Sequence, residues 1–245
     1  MQITPNMKMA EVIHLNYQLL QIISRFGIQL GFGDRSIKQV CREYNIDVNF
    51  FLEIINSYHD KNYFPRKNLQ GFPLKLIIEY LRESHNYYLE IKIPQIEQLI
   101  RQLSEFSDRI SGESLRMIDT FFHGYIKELQ DHIEREEEKV YPYVFSVEEA
   151  FHLKKIPDSL VERLGEYSID DFESEHDNIE DKLFDLKNII IKYLPLPVDP
   201  NLCHAILTEL FRLEADLNDH ARIEDKVLVP KVRFMEKWIN EHHAQ

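Results

Sequence analysis

Apolar residues recur at intervals of three and four along almost the whole chain, the spacing that is typical of amphipathic helices. Short segments with this pattern cover residues 9–63, and four long segments follow residue 73. The chain contains only 7 glycines and 10 prolines in 245 residues, which is few for the tight turns that join β-strands. The pattern therefore predicts an all-α fold.

The first quarter of the chain predicts a small helical N-terminal domain over residues 1–65. One helix is expected over 12–26, a second from a cap at Asp34 or Ser36 to about Tyr44, and a third over 48–58. Residues 66–73 are mostly polar and end in Gly-Phe-Pro, so we interpret them as a linker.

The remainder, 74–245, predicts an antiparallel four-helix bundle with a short C-terminal helix. The expected helices cover 74–106 with an interruption or kink at Pro94, 114–140 with a stop before Pro142, 169–193, 200–229, and a short segment from Pro230 onward. A connection that holds Pro157 and Gly165 is expected between the second and third helices.

Two segments of the predicted bundle match each other position by position, and both read His-x3-Glu-x5-Pro. The first copy (132–142) consists of His132, Glu136 and Pro142, and the second copy (220–230) of His220, Glu224 and Pro230. Each copy follows a helix that carries one further histidine, His85 before the first copy and His176 before the second. A single histidine on a helix is usually a core or surface residue, but such a duplication is difficult to obtain by chance.

The spacing places donors for a metal on one helix face. Positions i and i+4 lie about 40° apart around an α-helix, so an imidazole and a carboxylate can converge on one ion. Two such pairs and two further histidines supply four nitrogens and two carboxylates. This set is too large for one tetrahedral zinc ion and suits a pair of iron or manganese ions.

The bundle resembles the hemerythrin-like (HHE) di-iron domain, and the whole chain resembles the di-iron family that repairs iron–sulfur centres under nitrosative and oxidative stress. The matching signatures are Ser84-His85 before Pro94, Asp131-His132-x3-Glu136-Glu137, Glu175-His176-Asp177 and Asp219-His220-x3-Glu224.

The resemblance implies a metal site with two iron ions joined by an oxo or hydroxo group, although manganese or zinc would also suit the donors. The implied ligands are His85, His132, His176 and His220, with Glu136 and Glu224 as bridges. Four histidines, where oxygen-carrying hemerythrin has five, leave more open coordination and favour reaction or sensing over reversible oxygen carriage. We further expect Glu128 and Asp216, each one turn before a ligand histidine, either to support those imidazoles or to be ordinary surface charges.

The N-terminal domain departs from the repair family at one point. Gly31 and Phe32 occupy the positions of the family's adjacent cysteine pair, so chemistry that depends on that pair is not expected. Cys41 is expected to be a small buried hydrophobe. The segment 36–47 has a helix-turn-helix pattern with Asn45 at the turn, but the helix after it is mostly apolar and lacks a basic residue before Lys61. Packing or dimerisation is therefore favoured over nucleic-acid binding.

The overall charge supports these exclusions. Forty-two acidic and 29 basic side chains give a formal charge of −13, which opposes binding to nucleic acid or anionic lipid. No apolar run is long enough for a membrane span, no export signal is evident at the N-terminus, and two distant cysteines do not indicate disulfides. We expect a cytoplasmic protein.

The functional hypothesis is a di-iron protein that reacts with or senses nitric oxide, peroxide or dioxygen, with an iron–sulfur protein as a potential client and a homodimer as a potential assembly. The alternatives are a metal-sensing regulator whose N-terminal domain binds DNA or protein, and a metal site with a structural role only. The residues do not decide whether the chain is an enzyme.

Overall fold

The computed structural model describes residues 1–107, 113–175, 179–194 and 199–243. Regular structure in these residues is helical, apart from a single bridge between Lys8 and Ser36. The predicted all-α fold is confirmed. None of the described helices is both long and apolar enough to cross a membrane.

Five short helices form the N-terminal part of the chain. They are α1 (Met9–Leu15), α2 (Leu19–Arg25), α3 (Ile37–Glu43), α4 (Val48–His59) and α5 (Arg66–Gly71). The single helix predicted over 12–26 is wrong, because the backbone is extended at Asn16, with a φ of −152°. The Asn16 side chain accepts a hydrogen bond from the backbone N–H of Gln18 at 3.1 Å, and such side-chain turns compete with continued helix.

The pair α3 and α4 forms as the sequence predicts. Ser36 caps α3 in a reciprocal capping box with Gln39. Asn45 adopts the left-handed conformation with a φ of 56° in the turn. The buried side chains of α4 are Phe50, Phe51, Ile54, Ile55, Asn56 and Ser57. A large part of α4 is therefore used for packing.

Four rods form the bundle, and three of them contain a π-helical turn within the residues that the structure describes. The first rod is α6 (Leu74–Tyr87), π1 (Tyr88–Lys92) and α7 (Ile93–Ser107). The second is α8 (Glu113–Arg135), π2 (Glu136–Val140) and α9 (Tyr141–Leu153). The third is α11 (Ile169–Glu175) and α12 (Ile179–Tyr193), preceded by α10 (Asp158–Glu166). The fourth is α13 (Pro200–Ile223), π3 (Glu224–Leu228) and α14 (Val229–His242).

The contacts between the rods show that they are antiparallel. α7, in the second half of the first rod, packs on α8, in the first half of the second rod, and α6 packs on α9. α12 packs on both α8 and α13, and α11 packs on α14. The four rods therefore surround one common interior, as the sequence predicts.

The helix ends predicted at Pro142 and Pro230 are wrong, because both rods continue through the proline. Each proline follows a π turn by two residues, and so does Pro94. A proline ring normally clashes with the carbonyl group four residues earlier. We attribute its acceptance here to the wider i→i−5 turn, which gives the ring room. The connection expected around Pro157 and Gly165 likewise contains helix α10.

Two apolar cores fill the molecule. One lies between the N-terminal helices and α6, α9 and α14, and includes Phe51, Ile78 and Val144. The other lies between α7, α8, α12 and α13, and includes Phe122 and Leu186. The N-terminal helices thus share a core with half of the bundle. The division of the chain into two domains with a linker at 66–73 therefore stays a prediction.

Candidate metal centre

A layer of polar side chains separates the two cores. Four of the side chains in this layer converge on one point, and their nearest donor atoms all lie within 4.8 Å of one another: His85, Glu136, His220 and Glu224. Both carboxylates are 0% exposed. A buried carboxylate costs several kcal/mol unless a cation or hydrogen bonds compensate it. Two such groups side by side therefore require positive charge in this layer.

The π turns place the carboxylates in this layer. Glu136 is the first residue of π2 and Glu224 the first residue of π3, and the carbonyl group of each accepts the i→i−5 hydrogen bond that closes its turn. A π turn inserted in an α-helix is frequently found at a functional site. His132 and His220 precede these glutamates by one α-helical turn, so imidazole and carboxylate share a helix face.

The first copy forms a close cluster around Glu136. One carboxylate oxygen, Oε2, lies 3.0 Å from Nε2 of His85, and the other, Oε1, lies 2.9 Å from Nε2 of His132. The opposite ring nitrogen of His85, Nδ1, is 2.9 Å from Oε1 of Glu137. Arg82 Nε donates in turn to Oε2 of Glu137 at 2.7 Å. His85 is thereby oriented from both sides of its ring.

The second copy lies against the first. Nε2 of His220 is 3.4 Å from Oε1 of Glu224 and 3.2 Å from Nε2 of His85. The Tyr141 hydroxyl donates to Oε1 of Glu224 at 3.3 Å, and the Tyr141 ring stacks on His85 with 5.9 Å between ring centroids. The two copies thus meet through their imidazoles, with Tyr141 beside both.

The site is electrostatically prepared for a cation. Burial is the largest influence on His85 and acts to lower its pKa, but the carboxylates of Glu136 and Glu137 raise that pKa to about 9. Burial acts to raise the pKa of Glu136, yet the adjacent imidazoles of His132 and His85 lower it. Burial, together with the nearby carboxylates, raises the pKa of Tyr141 well above its usual range. A cation is therefore favoured between these groups.

The donor set fits the metal that the sequence predicts. Imidazole nitrogens and carboxylate oxygens are ligands that iron, manganese and zinc accept. Both oxygens of Glu136 are buried and lie within 3.0 Å of imidazole nitrogens, which are themselves metal donors. This arrangement is expected of a carboxylate whose partner is a metal ion.

The structure brings five of the six predicted ligands together. His85, Glu136, His220 and Glu224 form the cluster, and His132 reaches it through Glu136. His176 lies outside the described residues. His123 on α8 and His204 on α13 are both exposed, and His123 contacts the carbonyl group of Asp119 on its own helix.

The two carboxylates expected either to support ligand imidazoles or to be ordinary surface charges differ from each other in the structure. Glu128 forms an exposed ion pair with Lys182. Asp216 is buried but binds Arg25 and Tyr88. The carboxylate that contacts Nδ1 of His85 is that of Glu137. The sequence analysis names Glu137 only as part of the matching motif and assigns it no role. Its signal is the position directly after Glu136, which places it at the start of a π turn.

A comparison with protein families agrees with this geometry. The model of the hemerythrin HHE cation binding domain matches residues 76–232. The matched region begins in α6, ends in α14 and includes all five of the described candidate ligands as well as His176. No curated protein matches the chain.

Proposed function

Because the chain belongs to the hemerythrin HHE cation-binding domain family, we propose that it is a non-haem di-iron protein that reacts with or senses nitric oxide, peroxide or dioxygen. Metal binding itself follows from the family and from the buried cluster of histidines and glutamates. The choice of iron, the number of ions and the reacting molecule are the proposal.

One observation carries the proposal: the two carboxylates are fully buried, and each has an imidazole nitrogen within 3.4 Å of one of its oxygens. Glu136 lies between His85 and His132 with one oxygen toward each, so its two oxygens could bind two different metal ions. Iron at this position would supply redox chemistry and free coordination positions for a small molecule. The protein residues would hold the geometry, and the apolar cores on both sides would limit access of water.

Two alternatives remain distinct from this proposal. In the first, the chain is a regulator in which the metal site is the sensor and the N-terminal helices are the output. The contacts between these helices and α13 beside His220 favour a link of this kind. In the second, the metal has a structural role only.

The first experiment is elemental analysis of anaerobically purified protein. We expect roughly two iron ions per chain, as in carboxylate-bridged sites in helical bundles. The variant His132→Ala/Glu136→Ala should lose most of the metal, because it removes one candidate imidazole ligand and the carboxylate that lies against two imidazoles. The matched control is His123→Ala/Glu134→Ala, which removes the same residue types from exposed positions of the same helix. Equal metal content in the two double variants would contradict the ligand assignment.

The second experiment tests the reaction. The iron-loaded protein is treated anaerobically with nitric oxide, and separately with peroxide and with dioxygen, while its visible absorption is recorded. A change with at least one of them in the wild type, absent from the metal-depleted variant, supports reaction or sensing. A loaded protein whose spectrum responds to none of the three would favour the structural alternative.

A further inference from the structure

A buried arginine from the N-terminal helices reaches the helix that carries His220. Arg25 is the last residue of α2, and its side chain is 1% exposed. Its Nη1 donates to Oδ1 of Asp216 at 3.0 Å, and Nη2 donates to Oδ2 of the same carboxylate. This two-bond fork fixes orientation as well as distance. A fully buried fork of this kind constrains both elements that carry it.

Asp216 connects this arginine to the candidate metal ligands. It lies one helical turn before His220 on α13. The hydroxyl of Tyr88 donates to Oδ1 of Asp216 at 3.3 Å, and the Tyr88 ring lies edge-on against the His220 imidazole, with 5.8 Å between centroids. Tyr88 is also the first residue of π1, three residues after His85. One carboxylate therefore links Arg25 to a ring that contacts His220.

The N-terminal part of the chain makes two more contacts with α13, both closer to His220. Lys61 Nζ is 2.7 Å from Oδ2 of Asp219, the residue before His220. Arg222, two residues after His220, donates to the carbonyl oxygen of Ser57 at 3.0 Å. The N-terminal part of the chain thus holds α13 both before and after His220.

We propose that Arg25 is a positioning residue of the metal centre: through Asp216 and Tyr88 it keeps His220 oriented toward the ions, so that the N-terminal helices form part of the support of the site. This inference rests on the proposed function. Groups that orient a metal ligand typically contribute a factor of about 10 to 100 in metal affinity. Because coupling between two binding events is reciprocal, metal loading must in turn strengthen the docking of α2.

The variants are Arg25→Met and Arg25→Lys in the full-length, iron-loaded chain. Met keeps the apolar length of the side chain and removes the charge. Lys keeps the charge but cannot form two parallel bonds. The matched control is Lys187→Met, because Lys187 is similarly buried and pairs with Glu214 on the same helix α13, without a contact to Tyr88 or His220. All four proteins are compared in melting temperature, in visible spectrum and in the rate at which a chelator removes iron.

We expect Arg25→Met to release iron at least about tenfold faster than wild type and to shift the visible absorption of the bound iron. Arg25→Lys should release iron at a rate between those of wild type and Arg25→Met. Lys187→Met should lower the melting temperature while it keeps the wild-type spectrum and release rate. Equal release rates and spectra in Arg25→Met and Lys187→Met would overturn the inference, since the arginine would then act on stability alone. A wild-type chain that takes up no iron would instead contradict the proposed function, and this inference with it.

Amide hydrogen exchange of the wild type tests the same inference if Arg25→Met does not fold. Loading with iron should slow exchange in α2 (Leu19–Arg25) as well as in the rods that carry the ligands. The reference is α10 (Asp158–Glu166), which precedes the third rod and carries no candidate ligand. Exchange in α2 that is unchanged by iron, while exchange around π2 and π3 slows, would overturn the inference.

Discussion

The first copy and the second copy of the His-x3-Glu-x5-Pro repeat have the same spacing but different surroundings. In both, a histidine precedes a buried glutamate by one turn, the glutamate begins a π turn, and a proline follows two residues after that turn. The ligand side chains of both copies point into the same polar layer. Up to this point the two halves of the site are equivalent.

The difference lies in what holds each copy in place. Around the first copy the supporting groups come from the bundle itself: Glu137 contacts His85, and Arg82 donates to Glu137. Around the second copy the flanking carboxylates Asp216 and Asp219 are bound by Arg25 and Lys61 of the N-terminal part. Equal ligand spacing therefore does not imply equal support, and one half of this site depends on residues outside the bundle.

The largest loss of iron binding should come from replacing the histidine on the helix before each copy. If the copies are equivalent in their ligands, His85→Ala and His176→Ala should both weaken iron binding by more than about tenfold, the lower limit for the loss of a mere supporting residue. Iron content after dialysis against a chelator measures this, with His204→Ala as the exposed control. If His176→Ala keeps the iron content of wild type, the two copies are not equivalent in their ligands, and His176 is not a ligand.

The second largest effect on iron binding should come from Glu137, which supports His85 from within the bundle. Glu137→Gln should accelerate iron release by about tenfold, because the amide no longer attracts the proton on Nδ1 of His85 as a carboxylate does. The neighbouring exposed position offers the control Glu138→Gln. If both variants release iron at the same rate, the first copy does not depend on Glu137.

The stability of the protein should depend on pH through a contact between α9 and α14, the helices that follow the π turns of the two copies. Glu236 of α14 accepts hydrogen bonds from the Tyr143 hydroxyl and from the backbone N–H of Ile169, and burial raises the pKa of Glu236. A raised carboxyl pKa makes its contribution to stability greatest below about pH 4.5 and reduces it as pH rises through the folded-state value. Denaturant unfolding should therefore show that wild type loses stability relative to Glu236→Gln between acidic and neutral pH. A constant difference would contradict the assigned pKa shift.

The smallest effect is expected at Glu128, one turn before His132. Its ion pair with Lys182 is about half exposed on both sides, and exposed pairs contribute less than about 1 kcal/mol. Glu128→Gln should therefore leave iron content and release unchanged and lower the free energy of unfolding only slightly. A clear loss of iron would show that Glu128 supports the first copy after all.

Much of the candidate ligand set could be placed from the sequence, because helical periodicity fixes which residues share a face. His132 and Glu136 meet for that reason alone, and the duplication identifies the pair. The partner of Asp216 could not be predicted, because it depends on a contact between distant segments: Arg25 and Asp216 are 191 positions apart. The path of the rods through Pro142 and Pro230 could not be predicted either, since local rules treat proline as a helix end and do not foresee a π turn before it.

The central claim is that the residues of the two copies hold metal ions together in one buried layer. Diffraction from crystals of the iron-loaded protein, recorded at wavelengths on both sides of the iron absorption edge, tests it most directly because the difference locates iron atoms. The account predicts an iron signal between His85, Glu136, His220 and Glu224. Iron located elsewhere, for example on the exposed carboxylates of the acidic surface, with none in this layer, would contradict it.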